Sequence, residues 1–494
     1  MYSPVNIAFY QSIQIDRKSN QSLYLQISNQ FIYAINKGVL KPRQKLVGTR
    51  LLSNLLNIHR NMATAIYNEL ADQGWLEILP NKGTFITDQL PERNEKENST
   101  NKYPVETGFE FRKSILLDNP FEHTSCEYLL NDGIPDIRLT SVGILSQYYA
   151  ANLKRKGNRK KMGYYNQDGS EYFKEQLVNY LHDTRNLLIA PENILITRSI
   201  EMSLYIISEI LLKAEDQIVV GELSYFEANM IFQKSGSKIW TVPLDQEGID
   251  TKALRKICLE RTIRMVYITP QQHYPTTVSM SLSRKMELLQ LAYEFGFVIL
   301  EDDHDYDFQY TKQAALPLSS IDQKGMCIYV SSFGKSLAPG FRTGFIVCPK
   351  NLMQEMRKHL GIIDRQGDLL MEQALGEMIE EGEIHRHIKK SIKIYRERRD
   401  IFADLLREEL GEYIHFQIPT GGLAFWINWK ASINLMKLSK NALKQDVFIP
   451  KTLLYQQKNY CGMRLGFGNL TPSEMLEIVK RIRIAVTNTL TAAE

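Results

Sequence analysis

An apolar run, Met326 to Val330, leads directly into Ser331-Ser332-Phe333-Gly334-Lys335-Ser336-Leu337-Ala338-Pro339-Gly340-Phe341-Arg342. A short buried strand that empties into a Gly- and Pro-containing loop carrying a lysine and an arginine limits the possible folds more than any other feature of the chain. Open α/β sheets present their chemistry at the carboxyl ends of strands. A second apolar run, Phe297 to Leu300, ends in Glu301, Asp302 and Asp303. Two strand ends thus deliver a lysine and a carboxylate to the same kind of place.

Further β-rich segments, Asn193 to Thr197, Gln217 to Glu222, Met265 to Thr269 and Thr343 to Cys348, alternate with helical stretches. That alternation predicts an α/β fold with a mostly parallel, doubly wound sheet. The amino-terminal part reads differently. Ile27, Phe31, Ala34 and Ile35 mark one face of a helix that Gly38 stops, and a short helix follows over Arg50 to Leu56. Ala63, Ile66, Tyr67 and Leu70 mark a third helix ending at Gly74. Trp75 to Leu79 and Thr84 to Thr87 then predict two strands joined through Pro80-Asn81-Lys82-Gly83, which makes a winged helix-turn-helix pattern. The expected organisation is a DNA-binding domain over 1–88, a polar linker over 89–112 rich in Asn, Glu, Lys and Ser, and a large domain over 113–494.

Charge supports that division. Residues 1–88 hold nine Lys or Arg against five Asp or Glu, while the remainder balances at 51 and 51. A preference for polyanions therefore belongs to the first domain. The five cysteines are scattered without paired zinc spacing, which predicts reduced thiols and no metal site. No leader-like segment or membrane-spanning run is evident, so a cytoplasmic location is expected.

Lys335, Asp302 and Arg342 form a specific chemical set. A lysine suited to a Schiff base, a carboxylate suited to a pyridinium nitrogen and a guanidinium suited to phosphate predict a pyridoxal 5'-phosphate site, with Ser332 adding a hydroxyl. A lysine in a Gly/Pro-rich loop is also compatible with plain surface exposure, and an acidic cluster with a helix cap. The loop Thr269 to Thr276 places Tyr274 where a cofactor ring hydroxyl can be met. Tyr225 follows another strand end and suits either stacking on a flat ring or the core. Arg464 alternates with apolar neighbours as if projecting from a strand, which fits a carboxylate ligand or a structural ion pair. In the first domain Arg50, His59, Arg60, Asn61 and Thr64 lie at helix starts and Lys82 at the hairpin tip, positions suited to DNA phosphates and a recognition helix.

The stretches Leu23-Tyr24-Leu25-Gln26-Ile27, Gly38-Val39-Leu40, Arg50-Leu51-Leu52-Ser53, Arg60-Asn61-Met62 and Gly83-Thr84-Phe85-Ile86 resemble the winged helix of GntR-type regulators. Asn131-Asp132-Gly133-Ile134-Pro135-Asp136, Gly163-Tyr164-Tyr165, Gly169, Glu301-Asp302-Asp303, Lys335 to Arg342, Gly421-Gly422-Leu423 and Arg464-Leu465-Gly466-Phe467 resemble a fold-type I aminotransferase. Joined in this order they resemble the MocR branch of GntR regulators. The resemblance implies that Lys335 carries the cofactor aldimine, Asp302 meets the pyridine nitrogen, Arg342 and Ser332 hold phosphate, and Arg464 receives an effector carboxylate. It also implies a head-to-tail homodimer.

The chain departs from the family pattern at four places. His304 replaces a tyrosine that meets the ring hydroxyl, and Arg198-Ser199-Ile200-Glu201-Met202 replaces a glycine and glutamines near the phosphate. Thr277 replaces a glycine, and Ala424 a frequent histidine. These changes bear on transamination more than on cofactor retention. The expected function is a transcriptional regulator that binds double-stranded DNA and senses a small amine, an amino acid or the cofactor itself. The alternative is an aminotransferase with an appended DNA-binding domain.

Overall fold

Apolar residues at helical spacing, followed by a hairpin, build the amino-terminal part of the chain. The computed structural model describes residues 7–491 apart from 18, 20, 92–103, 119, 121, 123, 165, 312–315 and 459. Residues 92–103 of the expected linker, together with Lys18 and Tyr165, lie outside the described residues. The chain divides into two units, Met1–Phe111 and Arg112–Glu494.

The first unit contains helices α1 (Ile7–Ser12), α2 (Leu23–Asn36), α3 (Thr49–Leu56) and α4 (Arg60–Asp72), then strands β1 (Leu76–Leu79) and β2 (Gly83–Ile86). Helix α2 starts where Ser22 accepts the Leu25 N–H and ends just before Gly38, whose φ of +72° suits glycine. Its Ile27, Phe31, Ala34 and Ile35 are buried against Ala63, Ile66, Tyr67 and Leu70 of α4. The strands pair antiparallel, with Leu76 opposite Ile86 and Leu79 opposite Gly83. Helix α1 was not expected. Its six residues are too few to show a period, yet Phe9 and Tyr10 pack edge-on to Phe31 at 5.1 and 5.9 Å.

The second unit is built on seven strands: β3 (Ile194–Thr197), β4 (Gln217–Gly221), β5 (Lys238–Val242), β6 (Met265–Ile268), β7 (Val298–Asp302), β8 (Cys327–Ser332) and β9 (Gly344–Val347). Their order is β3-β9-β8-β7-β6-β4-β5, and β9 runs antiparallel to both neighbours in an otherwise parallel sheet. Helices cover both faces, which is why the inner strands are apolar without interruption. Strand β5 was missed because it is an edge strand, half exposed, with Lys238 and Thr241 breaking the apolar run.

A second sheet follows, made of β10 (Ile414–Phe416), β11 (Ala424–Trp429), β12 (Leu454–Gln456) and β13 (Cys461–Gly466) in the order β10-β11-β13-β12, all antiparallel. One apolar core joins it to the helices Glu383–Leu410, Leu435–Leu443 and Pro472–Thr491. In the large sheet Ser332, Gly344 and Thr197 share one row of the register, and Asp302 pairs with Val330 close by. The ends of β3, β7 and β8 therefore meet at one edge.

Candidate active site and basic helix face

The loop after β8 is pinned on both sides of Lys335. Ser332 Oγ accepts the Gly334 N–H, Leu337 N–H donates to Phe333 O, and Ser336 Oγ donates to Asp307. His387 Nε2 lies 2.9 Å from Ser336 O. Behind this loop Arg185 is fully buried, donating to Asp307 at 2.9 Å and to the Tyr329 hydroxyl at 2.7 Å. Burial pushes the Asp303 carboxyl up to about 7 against the opposing pull of Arg185. The fixed loop leaves the Lys335 amine partly exposed, 3.0 Å from Asp305 Oδ1.

Lys335 opens onto a cavity of about 240 Å³. Asp302, His304, Ser332, Arg342, Tyr225 and Tyr274 all line it, so seven of the eight residues assigned to the site from sequence converge there. Asp302 is buried at the end of β7. The Tyr267 hydroxyl donates to its Oδ2 at 2.8 Å, while Oδ1 has no hydrogen bond and faces His304 Nδ1 at 3.5 Å. Tyr225 and Tyr274 meet edge to face at 5.1 Å on the opposite wall.

The other end of the cavity is made by the start of helix α5 (Ile200–Leu211), where Ser199 Oγ accepts the Met202 N–H. Gly344 allows a close approach here, since a Cβ would stand 3.0 Å from the Ser199 backbone and from Thr197 Oγ1. Arg342 is exposed at the mouth in the left-handed region, φ +49°. Arg198 is paired with Asp364 at 2.7 Å. Glu201 also lines the cavity and faces the Tyr225 hydroxyl, which donates to Glu227. Burial first, then the Glu201 charge, raises the Glu227 carboxyl and favours its protonated form. Thr277, where the family pattern has glycine, adopts φ +59°, a strained conformation for a β-branched residue.

Arg464 is the exception. It projects from β13 as expected, but it is wholly buried and does not line the cavity. Its three nitrogens donate to Asp132 O at 2.7 Å, Pro275 O at 3.0 Å and Asp305 Oδ2 at 3.4 Å, and Tyr274 lies against it with its ring centroid at 4.7 Å. The arginine assigned to an external carboxylate thus already holds an internal one.

In the first unit Arg50, His59, Arg60, Asn61, Thr64 and Lys82 are all exposed. His59 caps α4, its Nδ1 accepting the Asn61 N–H, and Thr64 Oγ1 donates back to Arg60 O. Among the described residues none of Arg50, Arg60 and Lys82 is paired with a carboxylate. The starts of α3 and α4 and the β1–β2 turn therefore carry free cations suited to phosphates.

The family model for class I and II aminotransferases matches residues 140–482. The chain belongs to that family. A multiple substrate aminotransferase from Thermococcus profundus superposes with a TM-score of 0.69 at 24% identity, covering 75% of this chain and 93% of that one. LysN, an α-aminoadipate aminotransferase from Thermus thermophilus, gives 0.68 at 22% over 74% and 93%. These likenesses show the fold. Over nearly the whole chain the similar proteins are regulators: YdeL of Bacillus subtilis, an uncharacterized HTH-type transcriptional regulator, is 26% identical over 95% of this chain and 98% of that protein. The probable rhizopine catabolism regulatory protein MocR of Rhizobium meliloti is 23% identical over 95% of each. The resemblance to MocR-type GntR regulators stands, with a class I and II aminotransferase domain as the large part.

The cofactor implied by this family fold is pyridoxal phosphate, and the residues present fit it. Asp302 Oδ1, buried and without a hydrogen bond, suits a protonated ring nitrogen, while Tyr267 fixes the other oxygen. Ser332, Arg342 and the start of α5 supply donors for phosphate. Sequence reading missed Asp305, Tyr267, Glu227 and Arg185. Asp305 lies in the same acidic run as Asp302, and the alternation of its acids was the available signal; the other three come from distant segments that only the fold brings together.

Proposed function

We propose that this chain is a DNA-binding transcriptional regulator whose large unit holds pyridoxal phosphate at Lys335 and answers to a small amine or amino acid. The carrying observation is the Lys335 amine opening onto the cavity that also contains the unpaired oxygen of Asp302. When bound, the cofactor supplies an electrophilic carbon for primary amines and an electron sink. Asp302 would keep a proton on the ring nitrogen, Ser332 and Arg342 would hold the phosphate, and Tyr225 and Tyr274 would offer aromatic faces to the ring. His304 would take the place of a tyrosine beside the ring hydroxyl.

The first unit supports the regulatory half of the reading, because its free cations surround an exposed helix start. We assign α4 to the major groove, and Arg50, Arg60 and Lys82 to phosphates. The polar composition of 89–112 and the division into units at 111 and 112 support a domain division at 88 and 112, the relatives' HTH-type names support the DNA-binding role, and we take the chain to act as a head-to-tail homodimer in the cytoplasm. Among the described residues no helix is long and apolar enough to cross a membrane. Effector binding regulates only through a difference in affinity between two arrangements of the DNA-binding domains.

Visible absorbance of the protein with added pyridoxal phosphate tests this reading. A band present in the wild type and lost in Lys335→Ala, with operator-length DNA still bound by both, is the expected result. A band that survives the substitution overturns the site. Sustained turnover of an amino acid with an oxo acid would replace the regulator by an aminotransferase with an appended domain.

A further inference from the structure

Asp305 sits at the centre of the cationic part of the site. It is fully buried just beyond β7, with Oδ1 3.0 Å from Lys335 Nζ and Oδ2 3.4 Å from Arg464 and 3.5 Å from His304 Nε2. Burial alone would raise its carboxyl, but Lys335, His304 and Arg464 outweigh that and hold it below the ordinary range. Gly422 closes on the same group, where a Cβ would stand 3.2 Å from Oδ2. The carboxylate is therefore fixed, ionised and bridging the lysine and the arginine.

That geometry is the one an amino acid's own carboxylate would need. To reach Arg464 an external carboxylate must displace Asp305 or lie beside it, and like charges in a buried site repel strongly. Three of the five N–H groups of Arg464 are already committed, to Asp132 O, Pro275 O and Asp305 Oδ2. The cavity wall on this side is Tyr274 and His304 rather than the guanidinium. An amine without a carboxylate meets none of these obstacles at Lys335.

We propose that Asp305 sets the ligand class of the Lys335 site, so that it takes primary amines lacking a carboxylate on the amine-bearing carbon. This rests on the cofactor-dependent reading above and narrows its effector. Asp305 is a specificity-determining residue, acting by occupying Arg464 and by lying against Lys335.

The test titrates the cofactor-loaded full-length protein with ethylamine and with L-alanine, reading the change in its visible absorption spectrum. The wild type responds at lower concentrations of ethylamine than of L-alanine. In Asp305→Asn the apparent affinity for L-alanine rises about tenfold or more relative to ethylamine, the size of one charged hydrogen bond. Using the ratio cancels any change at the Lys335 amine, which both probes share. A wild type that prefers L-alanine, or a ratio unchanged in Asp305→Asn, overturns the proposal. If the variant fails to melt cooperatively, the wild-type preference alone decides. A wild type with no visible band on addition of pyridoxal phosphate overturns the parent reading as well, and so is told apart from a failure of selectivity.

Discussion

Arg50, Arg60 and Lys82 of the first unit stand in solvent without a carboxylate partner, whereas Lys335 and Arg464 of the second reach the buried Asp305 within 3.4 Å and the buried Arg185 reaches the largely covered Asp307 at 2.9 Å. The same residue types do opposite work in the two units. A surface cation keeps its hydration and awaits a polyanion, so its effect is long-ranged and weakened by salt. A buried cation has given up its water, so its partner decides what it can do. Arg464 illustrates this directly: it has the chemistry of a carboxylate receiver, and Asp305 has taken that role from inside the chain.

The sharpest way to break the comparison is to remove a buried cation and find that little happens. Arg185→Met leaves Asp303 and Asp307 buried without their guanidinium. The expected loss is about 3–5 kcal/mol of stability, as for one partner removed from a buried pair. Denaturant unfolding followed by circular dichroism measures it. A loss below about 1 kcal/mol, typical of exposed pairs, would mean that water reaches this network and that the contrast between the units is false.

The surface side is tested by Arg60→Ala and Lys82→Ala. Each is expected to weaken DNA binding and reduce the salt slope by about 1, with stability changed by less than about 0.5 kcal/mol. Fluorescence anisotropy across a salt series, beside a melting curve, reads both. The visible spectrum of the cofactor-loaded protein should not change in either variant. A loss of folding with DNA binding intact would move these residues from the partner-facing class to the structural one.

The comparison also explains what the sequence could disclose. The three long elements of the first unit were legible because their apolar residues recur at helical spacing, and the free cations because nothing local opposes them. In the second unit the strands ending in Asp302 and Ser332 were legible as uninterrupted apolar runs, and Lys335 by its loop. Strand β5 was not, because half its surface is polar and exposed. The pairing of Arg464 with Asp305 was not legible either. These residues are 159 apart in the chain, one on a strand of the second sheet and the other in the turn after β7, and no periodicity encodes which carboxylate a buried guanidinium will meet. Sequence disclosed the residue types at the site, while topology decided which of them remained available.

A pH-dependent effect concerns the buried acids of the second unit. Glu372 is buried beside a second cavity of about 250 Å³ that shares Arg198 and Arg342 with the first, and burial pushes its carboxyl up to about 7 from 4.5. Between those values the native state holds a proton that the unfolded chain has released. Stability from this group is therefore fully present below pH 4.5 and declines as pH rises towards 7, by at most about 1.4 kcal/mol per pH unit. Glu372→Gln stays neutral and lacks this decline, so its stability relative to the wild type should increase from pH 5 to pH 7, as read by melting temperatures across that range. In the first unit the buried polar side chains among the described residues include Ser28, Gln44 and Ser53, which do not titrate, and Tyr10 and Tyr67, whose hydroxyls burial raises above the ordinary tyrosine value and which therefore stay neutral across this range. A decline that persists unchanged in Glu372→Gln would assign the proton to another buried acid, with Asp303 the next candidate because its carboxyl is also raised to about 7.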